Sequence, residues 1–447
     1  MSLAERVRQA ATSGREHLER AQVGRWELYV KASTVRETRL AGGRAVAVTE
    51  VEETGVAVRT FRSGRAGFAA ASGLGAAAAR RAVEGALDVE SPVPFDILPP
   101  RHLLGTTAVP DNGGSLPAPG WAAHTAAAVG ACLAERSAGR LRLEQAVVEE
   151  GTYSWLLLTG DGFVATHDDA STVLRLAARS AGEEAILWRE WAHVPAPESF
   201  APAECAARVA DRALLTAAPV TADPGIRDLI LHPEVTAACI DALVPLLLAA
   251  PATSDPLPGL LARDGRLAGH AVTLVDVRDA ADVPTVSPCD GEGVPSRRVV
   301  LLENGIPRHR LASYRDSLIC GDPALGGARR LSYRDYPSAG IANLTVDVRD
   351  GVAPAELLGE VRRAFYLLRP LSVTCNLSRD EYRLMASGVW IDRGRILGWH
   401  PVVELRGGLG LLLRRIEAVG TDLHWHQTRS GCIAAPSMLV RRQPVVG

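Results

Sequence analysis

Three histidines near the carboxyl end are the residues best typed for metal chemistry. His424 and His426 flank Trp425, so on a strand both imidazoles fall on one face. With His400 they offer a three-nitrogen set of the kind that holds catalytic zinc, against the plainer reading of a polar strand face. Arg329 and Arg330 form a second group, after Gly326-Gly327 and before Tyr333. A planar guanidinium binds carboxylates through two parallel bonds, which makes the pair candidates for contact with a substrate or a partner subunit. The alternative is a solvated loop pair. His167-Asp168-Asp169 is a third polar cluster, read as a turn capped by an aspartate.

Other catalytic signatures are missing. Lys31 is the only lysine in the chain and has no GxxxxG before it, which excludes a phosphate-binding loop of the Walker type. Gly73-Leu74-Gly75 precedes an Ala-rich helix, but the strands before it read as hairpins rather than the parallel unit that a dinucleotide loop requires. No GxSxG elbow marks a serine hydrolase.

The elements that must position these residues follow from periodicity. Residues 1–21 read as an amphipathic helix with Leu3, Val7, Ala10 and Ala11 on one face. Residues 25–71 alternate in period two as an antiparallel meander (RWELYVKAS, TVRETRL, RAVAVTEVEETGVAVRTF, GRAGFAAAS), followed by a helix over 74–87. Residues 91–120 are rich in proline and glycine and read as a long loop or crossover. A helix near 121–137, three further strands and a helix at 203–216 complete a first domain over 1–220. A second, 224–447, starts near Pro224. It holds a helix after His232, strands at 271–276 and 297–303, a helix near Leu311, a helix over APAELLGEVRRAFYLL and a strand-rich end. Many strands with few helices predict an α+β fold of two domains with large antiparallel sheets.

Composition bounds the function classes. Of 447 residues, 47% are apolar and 22% charged, which suits a soluble globular protein. A formal charge of −2 gives no pull toward nucleic acid or an anionic membrane. Seven scattered cysteines form no CxxC pair and read as reduced thiols in a cytoplasmic protein. The near absence of lysine and the four asparagines read as GC-rich coding bias, and so a bacterial source.

Residues 226–250, IRDLILHPEVTAACIDALVPLLLAA, carry the most meaning. In context, with GVAVRTFRSGRAGFAAASGL, VVLLENGIPRHRLASYRDS, ALGGARRLSYRDYPSAGIANLTV and SGVWIDRGRILGWHPVVELRGGLGLLLRRIEAVGTDL, the chain resembles the TldD/TldE (PmbA) family. That resemblance implies a helix that, in active members, carries His-Glu-x-x-x-His for a zinc-dependent amide hydrolase. Here those positions are Ala238, Cys239, Ile240, Asp241, Ala242 and Leu243, so no catalytic residue and no zinc are expected in this chain. The family's metal-binding cysteine has no clear counterpart either, since the loop HWHQTRSGCIAAPS is short and Cys432 sits too near the next strand.

The chain therefore resembles the TldE-type subunit, with zinc expected in a TldD-like partner of a heterodimer that acts on peptides or small amides, in proteolysis, peptide maturation or N-deacetylation. Arg329, Arg330 and Asn343 are its expected substrate or partner contacts, with no nucleic acid and no membrane involved. Two alternatives stand beside this: a homodimeric peptide-binding or regulatory module, and an independent metal hydrolase using His400, His424 and His426.

Overall fold

The protein, represented by a computed structural model, is described over residues 2–107, 116–180, 186–216, 219–220, 225–251, 254–280 and 283–446. Pro224 and part of the loop expected over 91–120 lie outside these. The fold is α+β, and sheets dominate it.

The first half is built on one seven-stranded antiparallel sheet. Its strands are β1 (Arg25–Ala41), β2 (Arg44–Arg62), β3 (Arg65–Ser72), β4 (Ser91–Pro92), β5 (Leu141–Thr159), β6 (Val164–Ser180) and β7 (Leu187–His193), ordered β4-β3-β2-β1-β5-β6-β7. Segments expected as separate strands merge, 25–41 and 141–159 each being one long strand, and the strand expected over TVLRLAARSA begins earlier, at Val164. Side chains alternate between faces, so one face carries Leu28, Val30, Val56, Val58 and Leu158. Helices α1 (Leu3–Arg20) and α2 (Ala76–Asp88) bury that face. Ser2 and Glu5 start α1 with a reciprocal capping box, at 3.2 and 2.7 Å. Helices α3 (Trp121–Arg136) and α4 (Pro202–Leu214) cover the far end of the same face through Val129, Leu133 and Val209.

The second half holds two six-stranded sheets. One has the order β11-β10-β9-β14-β20-β19, formed by β9 (Leu274–Asp276), β10 (Val299–Glu303), β11 (Ile306–Pro307), β14 (Asn343–Val346), β19 (His424–Gln427) and β20 (Cys432–Ala435). The other has the order β17-β16-β15-β8-β21-β18. Its strands are β8 (Gly225–Leu231), β15 (Arg363–Asn376), β16 (Glu381–Asp392), β17 (Arg395–Gly408), β18 (Ile416–Val419) and β21 (Met438–Val446). Pairing of Glu404 with Val446 and Leu405 with Val445 closes five of these strands into a ring. A short ribbon, β12 (Ala328–Arg329) with β13 (Ser338–Ala339), stands apart. Helix α5 (Pro233–Leu243) packs between the two sheets through Val235, Ile240 and Leu243.

The helix expected over APAELLGEVRRAFYLL is a correction. Only Pro354–Gly359 is helical, and Arg363 onward is β15. Phe365 and Leu367 are fully buried where β15 lies between β8 and β16, and both of its hydrogen-bonding edges are used. A central strand position suits the aromatic and apolar run better than a helix does. Among the described residues no helix is long and apolar enough to cross a membrane.

Candidate functional site

Helix α5 presents two different faces. His232 caps its start, its Nδ1 accepting from the Glu234 amide at 3.2 Å, and Pro233 occupies the first turn. Ala238, Asp241 and Ala242 stand three and four residues apart and so share one face. They line a cavity of about 650 Å³ that also touches Glu190, Arg212 and His426. Leu243 does not join them. Five residues on from Ala238 it has turned away, into the apolar core with Leu231, Ile240 and Met438. The metal-typed groups that α5 sends to the cavity are Glu234 and Asp241; Glu234 is paired with Arg212, and Asp241 Oδ1 accepts from the Ser430 amide at 3.1 Å. This donor set does not fit zinc, which takes three or four convergent ligands.

Beside that cavity lies a buried ionic cluster that joins the two halves. Glu190 on β7 accepts from Arg208 and from Arg212, both on α4, at 2.8 Å each. His424 Nε2 stands 2.9 Å from the same carboxylate, and Arg212 also binds Glu234 of α5. Burial alone would raise the Glu190 carboxyl, but His424 and the two guanidinium groups hold it well below the usual carboxylate range. Burial and then His424 push His426 down to about 3, and burial and then Arg212 hold His232 well below its ordinary value. The rings of His424 and His426 meet edge to face at 5.0 Å. His400 is on β17, its ring 6.4 Å from that of Phe365 and its Nδ1 facing the Val402 amide. Among the described residues no three His, Cys, Asp or Glu side chains are placed to hold a metal ion.

The other expected site residues separate in role. Asn343 has no exposed surface; its Nδ2 donates to Val277 and Thr285 carbonyls at 2.6 Å, and its Oδ1 accepts from the Thr285 amide at 3.0 Å. It ties Val277 and Thr285 to β14, and both of its side-chain donors are spent. Arg330 is also buried, bound to Glu27 and to the Gly291 carbonyl, with its guanidinium 4.7 Å over the Tyr29 ring. Glu27 pairs directly across the sheet with Arg59, which in turn reaches Glu292 at 2.7 Å. Of the three, Arg329 alone has a guanidinium on a cavity wall with no carboxylate partner among the described residues.

That second cavity, about 350 Å³, lies between the open face of the first sheet and the second half of the chain. Register explains its wall. Lys31 stands opposite Trp155, and Trp155 opposite His167, so three adjacent strands send these side chains to one face. Tyr153, Asp169 and Trp191 extend it. His167 and Asp169 thus belong to strand β6, near its start, not to a capped turn. Periodicity within each segment was visible in the sequence; which strands would lie side by side was not.

The family profile described as "PmbA/TldA metallopeptidase C-terminal domain" matches residues 224–447, half of the chain, and "PmbA/TldA metallopeptidase domain 1" matches 26–89. The chain belongs to the PmbA/TldD family. One curated relative of this family member, "Zinc metalloprotease TldD homolog" of Saccharolobus solfataricus, is 30% identical over 133 residues. The match spans 30% of the chain and 30% of the length of that relative. Two solved structures share the fold. TldE from Thermococcus kodakarensis superposes with a TM-score of 0.86 at 15% identity, covering 97% of this chain and 100% of that one. A putative modulator of a DNA gyrase from Thermotoga maritima gives 0.81 at 18% identity, covering 98% and 100%.

Proposed function

We propose that this PmbA/TldD chain is a TldE-like subunit of a zinc-dependent metallopeptidase or amide hydrolase, with the metal carried by a TldD-like partner. The observation that carries this reading is the cavity face of α5: Glu234, Ala238, Asp241 and Ala242 line a space of about 650 Å³ and offer no imidazole and two carboxylates, both already in use. Helix α5 faces this cavity with no metal-ligand set among the described residues. Its contribution is then shape and charge, and the substrate is a peptide or a small amide.

The test is co-expression with a paralogue bearing His-Glu-x-x-x-His, followed by affinity purification and an amide-hydrolysis assay with peptide and N-acetyl substrates. A stable complex that hydrolyses when zinc-loaded is the expected result. Hydrolysis by this chain purified alone overturns the proposal, as does failure of the two chains to associate.

A further inference from the structure

We propose that the cavity of about 350 Å³ between the first sheet and the second half is a binding site for an organic carboxylate with a flat, aromatic body, anchored by Arg329. The site is distinct from the α5 cavity, and the proposal does not rest on the subunit reading.

The charge balance of the wall points to an anion. Each acidic wall residue is committed. Glu149 pairs with Arg175 at 3.2 Å, and Asp290 accepts from the Glu292, Val294 and Ala328 amides at 2.9 to 3.0 Å. Asp169 accepts from the Ala170 amide at 2.8 Å. Among the cations, Arg330 is matched by Glu27 and Arg278 by Asp276 at 3.0 Å. Arg329 has no such match. Its Nη1 donates to the carbonyls of Ile341 and Ser430, leaving the donors on Nε and Nη2 without a partner among the described residues. Burial, reinforced by Arg278, pushes its pKa down to about 10, so it stays charged at neutral pH. A half-buried unmatched charge is costly, and a bound carboxylate removes that cost through a bidentate pair.

The site is also built to seat the guanidinium. A Cβ on Gly431 would fall 2.9 Å from Arg329 Nη1, and one on Gly340 would fall 3.1 Å from its Cδ. Two glycines therefore leave the channel through which the side chain reaches the cavity. Lys31 adds a second cation, its Nζ donating to the Leu331 carbonyl.

The rest of the wall fits a flat ring. Tyr29 and Trp155 lie 6.3 Å apart and Trp155 and His167 5.9 Å apart, giving an aromatic ladder across three strands. Trp191 is pinned by its Nε1 bond to Gln427 Oε1 at 3.1 Å. The His167 Nε2 is buried without a hydrogen-bond partner among the described residues, which suits a site completed by a ligand. The volume accepts a one- or two-ring acid, at the small end of ligand pockets.

Isothermal titration calorimetry of the full chain with indole-3-acetate and indole-3-acetamide tests this without any variant. One site per chain is expected, with the acid bound at least ~10-fold more tightly than the amide and weakened by salt. Gly-Gly-Trp and its carboxy-terminal amide form the second arm. A response to the peptide acid as well assigns the site to peptide carboxy termini, and a response to indole-3-acetate alone assigns it to free acids. Arg329→Gln should lose ~10-fold or more, while Arg329→Lys should keep part of the affinity. Equal binding of acid and amide, no binding of any of the four probes, or an unchanged Arg329→Gln overturns the proposal.

Discussion

Asn343 shows how a residue that reads as a contact from its neighbourhood in the sequence can be an internal fastener. Each polar atom of its amide bonds a backbone group of Val277 or Thr285. Replacing it with alanine strands the buried Val277 carbonyl and removes two bonds to the backbone of Thr285, which is exposed. An unsatisfied buried group costs ~1–3 kcal/mol while the Thr285 groups can turn to water, so Asn343→Ala should destabilise by ~2 kcal/mol in urea denaturation. Association with a partner, measured on the folded fraction, should be unchanged. A stable Asn343→Ala protein with weakened association would restore the contact role. Arg330 is a similar case, because Glu27, its partner, lies 303 residues away in the sequence. No local pattern could have named it.

At the scale of elements, the identity of α5 was visible early and its orientation was not. The sequence shows that Ala238 and Leu243 replace histidines, but only the packed helix shows that they face different ways. It follows that Ala238→His with Ala242→His, which places two imidazoles one turn apart beside Asp241, should bind zinc at least ~10-fold more tightly than the unmodified chain in a chelator competition. Ala238→His with Leu243→His should show no gain, and a gain there would mean that α5 is turned differently.

The cluster around α5 also sets a pH dependence. His232 and His426 are buried among Arg208, Arg212, Glu190 and His424, with folded pKa values below the unfolded one. Between pH 6.5 and the folded value the unfolded chain binds the proton and the folded chain does not. Stability is therefore complete above about pH 6.5 and falls as pH drops below it, by ~2 kcal/mol per histidine at pH 5. Thermal unfolding between pH 5 and 8 should show this, and His426→Gln should flatten the slope. A stability that rises on acidification would contradict the buried, neutral state.

Across the whole molecule, two buried ionic clusters cross between the first sheet and the second half: Glu190–Arg212 with Glu234 and His424, and Glu27–Arg59 with Glu292 and Arg330. The sheet-rich class of each half was legible from alternation, because period two survives whatever the strand meets. The joint between halves was not, because its residues are scattered charges in a sequence already rich in arginine. Such a joint makes the halves depend on each other. Arg59 is fully buried and stands between Glu27 and Glu292, so Arg59→Met leaves Glu292 without its cation and Glu27 with Arg330 alone. Breaking a buried pair in this way costs ~3–5 kcal/mol, whereas removing both partners costs far less. Arg59→Met should therefore lower the urea midpoint sharply, and Arg59→Met with Glu292→Leu should recover most of the loss. Both halves should respond together, giving one transition by tryptophan fluorescence and by circular dichroism. Two separate transitions in the unmodified chain, or a double variant no better than the single one, would show that the clusters do not couple the halves.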